Sequence, residues 1–86
     1  MKPLFIPLKT EYFRAFENGT KKTEYRLLGP RWNENTVIKG RQATLSHGYS
    51  GARISGIVKR MRTMPNTITD LYPRGAMLCC IDISFA

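Results

Sequence analysis

The densest group of chemistry-bearing side chains is Gly19-Thr20-Lys21-Lys22-Thr23-Glu24-Tyr25-Arg26. On an extended strand, Lys22, Glu24 and Arg26 share one face, while Lys21, Thr23 and Tyr25 share the other. A carboxylate with a cation two residues away on each side is electrostatically well held. Two readings stay open at this point. The triplet is a solvated ion-pair ladder, worth little for stability. Alternatively it lines a polar cavity, where Glu24 meets a base edge and Arg26 a phosphate. A second group is His47-Gly48-Tyr49-Ser50-Gly51-Ala52-Arg53. Its glycines let the backbone approach a ligand, Tyr49 can stack on a base, and Arg53 can pair with phosphate. With Trp32 it interleaves rings and cations, as RNA and single-strand binders do. The competing reading is an ordinary glycine-rich hairpin whose tyrosine packs on the fold.

Other chemistries are excluded by residue type and spacing. The chain has one histidine, His47, which reads as a loop or surface residue with nothing nearby to favour a Ser-His-acid triad. Cys79 and Cys80 are neighbours, so on a strand they point to opposite faces and cannot jointly grip an ion. Cys79 reads as a small buried hydrophobe and Cys80 as a partly exposed thiol. No phosphate-cradling glycine loop or dinucleotide fingerprint occurs, so neither a metal nor a cofactor is expected.

The charge distribution favours an anionic partner. Fourteen Lys and Arg stand against 6 Asp and Glu, a net +8. Between Thr20 and Arg62 ten basic residues face only Glu24 and Glu34, so that stretch carries the whole excess and the remainder is neutral. A clustered positive field attracts polyanions and speeds their encounter. RNA or a nucleotide is the expected ligand.

The elements that must position these groups follow from composition and punctuation. Hydrophobic residues make up 42% and charged residues 23% of the 86, a globular composition that excludes a disordered tail or fibre. One domain, residues 1–86, with a radius of gyration of about 12 Å is expected. The longest apolar run, Met77-Leu78-Cys79-Cys80-Ile81, is far short of the roughly 20 residues that cross a bilayer, so no membrane role is expected. Pro3 and Pro7 flank only Leu4-Phe5-Ile6, which argues against a signal-peptide leader. Adjacent cysteines form no disulfide framework, and a cytoplasmic location is expected.

Residues 4–8 read as an edge or terminal strand confined by the two prolines. Thr10 is the expected N-cap and Gly19 the terminator of a helix over 10–18, with Tyr12, Phe13 and Phe16 on one stripe. Strands are expected at 22–28, 42–46 and 53–61, the last with a bulge or two buried faces near Gly56-Ile57-Val58. Residues 67–72 are expected to make one helical turn. From Met77 to Phe85 apolar residues alternate with mostly polar ones, which predicts a strand with one buried face and one wet face. The fold class is α+β: a small barrel or strongly bent sheet of five to six mostly antiparallel strands with one early helix.

Gly19-x-Lys21-x-x-Glu24-x-Arg26 after a short aromatic helix resembles the signature of the ASCH domain, in the PUA-like barrel superfamily. Ile38-Lys39-Gly40-Arg41-Gln42-Ala43-Thr44-Leu45 resembles that family's turn into its next strand. Leu71-Tyr72-Pro73 and the alternating last strand resemble its ending, so the likeness covers nearly the whole chain. It implies a β-barrel whose cleft is associated with RNA or modified nucleosides. Some small members are amidohydrolases acting on acylated cytidine derivatives, through a lysine and a threonine of this segment and a glutamate from a later insertion; others are ribonucleases. By that likeness Lys21 is a base or oxyanion-stabilising cation. Lys22 stands where a threonine is common, Thr23 comes one place late, and Asp70 is the one carboxylate between Val58 and Tyr72.

Three functions follow as expectations. The first is RNA or nucleotide binding, with Lys21, Glu24 and Arg26 on the floor of a basic cleft, Lys22 beside them, and Tyr49, Arg53 and Arg41 on its rim. The second is hydrolysis of an acylated nucleoside, with Lys21, Glu24 and Thr23 as catalytic groups. The third is a phage-type or mobile-element interaction module with an acidic protein partner. Exposed strand edges leave the oligomeric state open.

Overall fold

A computed structural model describes residues 1–85 of the chain. The elements run β1 (Leu4–Leu8), α1 (Thr10–Glu17), β2 (Thr23–Leu27), β3 (Gln42–His47), β4 (Arg53–Pro65) and β5 (Met77–Ser84). The five strands form one sheet in the order β1-β3-β4-β5-β2, curled into a half-barrel with one short helix. β1 pairs with β3 in parallel, and the other three pairings are antiparallel. The radius of gyration is 12.2 Å, as expected for the length.

Each strand's sequence explains its place. Leu4, Ile6 and Leu8 alternate into the core from β1, which lies on a sheet edge where Pro7 interrupts no second ladder. In α1, Phe13 and Phe16 are buried, and they pack with Ile6, Leu45, Val58, Cys79 and Ile81. The helix N-cap is Lys9, which offers no side-chain cap. Thr10 is instead the first helical residue, and its Oγ1 lies 2.8 Å from His47 Nε2. The end of the helix is as expected. Gly19 takes φ 83°, its N–H donates to Phe16 O, and Thr20 N–H donates to Ala15 O, which together make a Schellman motif.

Two features of the sheet decide what faces outward. Register shifts between Val58 and Arg60, so the expected bulge falls at Lys59. One extra residue there resets the alternation: Val58 and Met61 stay on the core side, paired with Ile83 and Ile81, while Arg60 and Arg62 both turn outward. The other feature is burial of both faces of β5 from Leu78 to Ile83, where a wet second face was expected. β5 is flanked by strands on both sides, and Thr23, Arg60 and Arg62 roof Asp82 with their side chains. Cys80, expected to be partly exposed, is therefore buried like Cys79.

The segment between β4 and β5 contains bends and turns and no helical turn. Asn66, 1% exposed, organises it. Its Nδ2 donates to the carbonyls of Thr69 (2.9 Å) and Tyr72 (2.8 Å), and its Oδ1 accepts from Ile68 and Thr69 N–H. Asparagine in this role supplies backbone partners that a helical turn would otherwise supply itself.

Candidate functional site

The two outermost strands, β1 and β2, share no backbone ladder, and a cleft of about 550 Å³ opens between them. Pro7, Leu8, Lys9 and Tyr12 line one side; Glu24, Tyr25 and Arg26 line the other, with Lys21 between. The turn residues Ile68, Thr69, Leu71 and Tyr72 form a lip. Ile68 and Leu71 are each 52% exposed there, so the lip presents apolar surface to whatever enters.

The cleft floor is built on β2. Glu24 and Arg26 sit opposite Ile81 and Cys79 and so point to the inside of the half-barrel. Arg26 Nε donates to Glu24 Oε2 at 2.9 Å, and Arg26 Nη2 donates to the Pro7 carbonyl at 2.7 Å. The guanidinium also lies 4.9 Å from the Trp32 ring, which backs it from the core. Trp32 was expected in a ring-and-cation surface with Tyr49; it is a core residue, flanked by Arg26 and Arg31. Glu24 is buried at 7% exposure, with both oxygens facing cations.

Lys21 reaches the same carboxylate from the helix exit. Its N–H donates to Ala15 O as the chain leaves the Schellman turn, so its position precedes β2 and strand alternation does not govern it. Its Nζ lies 3.7 Å from Glu24 Oε1, on the face of Glu24 and not on the opposite one that alternation predicted. The ammonium is also 5.1–5.5 Å from the centres of the Tyr12, Phe16 and Tyr25 rings, a partly desolvated aromatic surround. Burial pushes the Tyr72 hydroxyl above its ordinary value; the Arg26 charge opposes this and the Glu24 charge adds to it.

Lys21, Glu24 and Arg26 thus converge, and the other sequence candidates lie elsewhere. Lys22 lines a second groove with Lys59, Ser55 and Phe85. The Thr23 hydroxyl faces out and donates to Asp82 Oδ1 at 2.6 Å. Arg41 clamps backbone, donating to Lys2 O (2.9 Å) and Thr36 O (2.6 Å). Arg53 lies over the Phe5 ring and donates to Tyr49 O, and neither Arg53 nor the 74% exposed Tyr49 lines the cleft. His47 stacks on Phe13 at 5.3 Å and belongs to the helix packing.

Comparisons with family models, curated proteins and solved structures give no match to this chain.

The chemistry of the cleft therefore rests on its own residues. Glu24 Oε2 is taken by Arg26, whereas Oε1 has only the longer Lys21 contact and keeps acceptor capacity toward the cleft. Arg26 Nη1 has no protein acceptor among the described residues. Lys9 and Lys21 add cationic donors, and Tyr12, Tyr25 and Tyr72 add flat apolar faces. Among the described residues no group of three His, Cys, Asp or Glu could hold a metal ion, and no helix is long and apolar enough to cross a membrane. Sequence reasoning missed Tyr12, Tyr72 and the apolar lip as cleft residues. It also missed a second charged cluster: Asp82 with Thr23, Arg60 and Arg62.

Proposed function

We propose that the cleft binds a nucleotide, as one unit of an RNA strand or free. The observation that carries this is the Lys21–Glu24–Arg26 cluster on the floor of a cleft whose walls are tyrosine rings and apolar side chains. Every nucleobase has a π-face for Tyr12, Tyr25 or Tyr72, and stacking on such a ring is worth about 1–3 kcal/mol per base. Adenine, cytosine and guanine each carry N–H groups that Glu24 Oε1 can accept, which orients the base. Lys9, Lys21 and Arg26 Nη1 then meet the sugar–phosphate. The resemblance of Gly19-x-Lys21-x-x-Glu24-x-Arg26 to the ASCH signature supports the same ligand class.

Binding accounts for the site better than hydrolysis of an acylated nucleoside. A general base must reach the proton it removes. Glu24 is held by Arg26, and the hydroxyl of Thr23, one place after the position where the family pattern has its threonine, donates to Asp82 on the outer face. Calorimetric titration of the four ribonucleoside monophosphates tests the proposal. Saturable heat, weakened roughly tenfold or more by Glu24→Ala or Lys21→Ala, is the expected result. Absence of binding by all four overturns it.

A further inference from the structure

The outer face of the sheet carries two cationic rungs that the cleft does not use. Thr23, Asp82 and Arg60 stand side by side across β2, β5 and β4; Tyr25, Cys80 and Arg62 form the next rung on the same face. Asp82 accepts from Thr23 Oγ1 (2.6 Å), Arg60 Nε (2.7 Å), and Arg62 Nε (2.8 Å) and Nη2 (2.9 Å). One carboxylate thus fixes two guanidiniums and leaves the cluster at +1. Arg60 and Arg62 are nonetheless 62% and 43% exposed. Both Nη atoms of Arg60 and Nη1 of Arg62 have no acceptor among the described residues.

A solvated ion pair would not need this construction. The bulge at Lys59 interrupts a 13-residue strand at the one place that turns Arg60 outward beside Arg62. An arginine whose Nε edge is held by a carboxylate presents its remaining N–H groups in a fixed fork, the geometry that matches phosphate oxygens. Both Nε atoms are held on the same oxygen, Asp82 Oδ2, which sets the two forks side by side. Lys22 and Lys59 line a separate groove with Phe16, Ile83 and Phe85 and are not part of this face.

Tyr25 connects this face to the cleft. It belongs to the second rung with Arg62, yet it also lines the cleft beneath the Lys21 ammonium. We infer that the Arg60–Arg62 face is a phosphate track for single-stranded nucleic acid: a strand seated in the cleft passes over Tyr25 and lays successive phosphates on Arg62 and Arg60. The inference rests on the nucleotide reading of the cleft and adds the path that the backbone takes.

Fluorescence anisotropy of a labelled twelve-residue RNA and its DNA counterpart, over a range of salt concentrations, tests the track. The variant R60A/R62A exposes an uncompensated Asp82, so R60Q/R62Q/D82N serves as the fold-preserving partner, checked by circular dichroism. Both variants are expected to lose about tenfold or more in affinity for the twelve-mer and to reduce the salt slope by about 2. Mononucleotide binding, measured by calorimetry, is expected to be unchanged. Unaltered twelve-mer affinity and slope in R60Q/R62Q/D82N overturn the track while leaving the cleft standing. Loss of mononucleotide binding in wild type overturns the cleft reading and the path derived from it. Poly-glutamate competing as well as RNA overturns the track in favour of an acidic protein partner.

Discussion

Arg26 Nη2 lies 2.7 Å from the carbonyl oxygen of Pro7, and this one hydrogen bond joins the two outermost strands of the sheet. The half-barrel is closed there by a side chain in place of a backbone ladder. Because the same guanidinium holds Glu24, closure of the fold and formation of the cleft floor depend on a single residue.

Arg26→Ala is therefore expected to destabilise the protein by roughly 3 kcal/mol, the order found when one partner of a mostly buried ion pair is removed. Arg26→Lys should recover little of it, since an ammonium cannot span Glu24 and Pro7 as the planar fork does. Urea unfolding of the three proteins checks this. Equal midpoints for wild type and Arg26→Lys would contradict the bridging role.

Asn66 acts at a distance from the ligand by shaping the lip. Asn66→Ala removes donors to Thr69 O and Tyr72 O and the acceptor for Ile68 and Thr69 N–H. The expected cost is about 1–3 kcal/mol, with weaker nucleotide binding and an unchanged strand signal in circular dichroism. Unchanged nucleotide affinity would show that the lip takes no part in binding.

The expectations from sequence succeeded where local rules govern. Gly19 ends the helix because only the left-handed conformation lets the Schellman bonds form, and the bulge announced by irregular alternation near Gly56 is present at Lys59. The Lys21–Glu24–Arg26 cluster was legible because its members lie within six residues. Asp82 with Arg60 and Arg62 was not, since their separations of 22 and 20 residues are bridged only by β4–β5 pairing. Alternation misassigned Lys21, which precedes the strand, and Cys80, whose outward side is roofed by neighbours. Arg41, Tyr49 and Arg53 were placed with the cleft on charge and aromaticity alone, which carry no information about the sheet position that separates them from it.

Acid stability should carry the mark of Asp82. Its hydrogen bond from Arg62, supported by those from Thr23 and Arg60, holds the carboxyl well below its ordinary 3.8 in the folded chain despite burial, which opposes this. A carboxylate lowered by folding stabilises the protein fully above its unfolded value and loses that contribution as pH falls through the window down to the folded value. The urea midpoint is expected to drop below about pH 4, and Asp82→Asn should flatten that part of the profile. An equally steep drop in Asp82→Asn would contradict the assignment.

The two thiols should be inert while the protein is folded. Burial, with a smaller contribution from Cys80, pushes Cys79 up to about 11, and burial also raises Cys80 against the opposing Arg62 charge. Iodoacetamide at pH 8 should label them roughly a hundredfold or more slowly than a free cysteine, and rapidly only in urea. Fast native labelling of either thiol would show that its face of β5 opens.

The central claim, a nucleotide seat between β1 and β2, is tested most directly by mapping amide shifts during titration with cytidine and adenosine monophosphates. The expected result is saturable perturbation confined to Leu8, Lys9, Tyr12, Lys21, Glu24 to Arg26 and the 68–72 lip, with saturation moved roughly tenfold or more to higher ligand concentration in Glu24→Ala. Perturbation centred on Tyr49 and Arg53 with the cleft amides unmoved, or none at all, would contradict it.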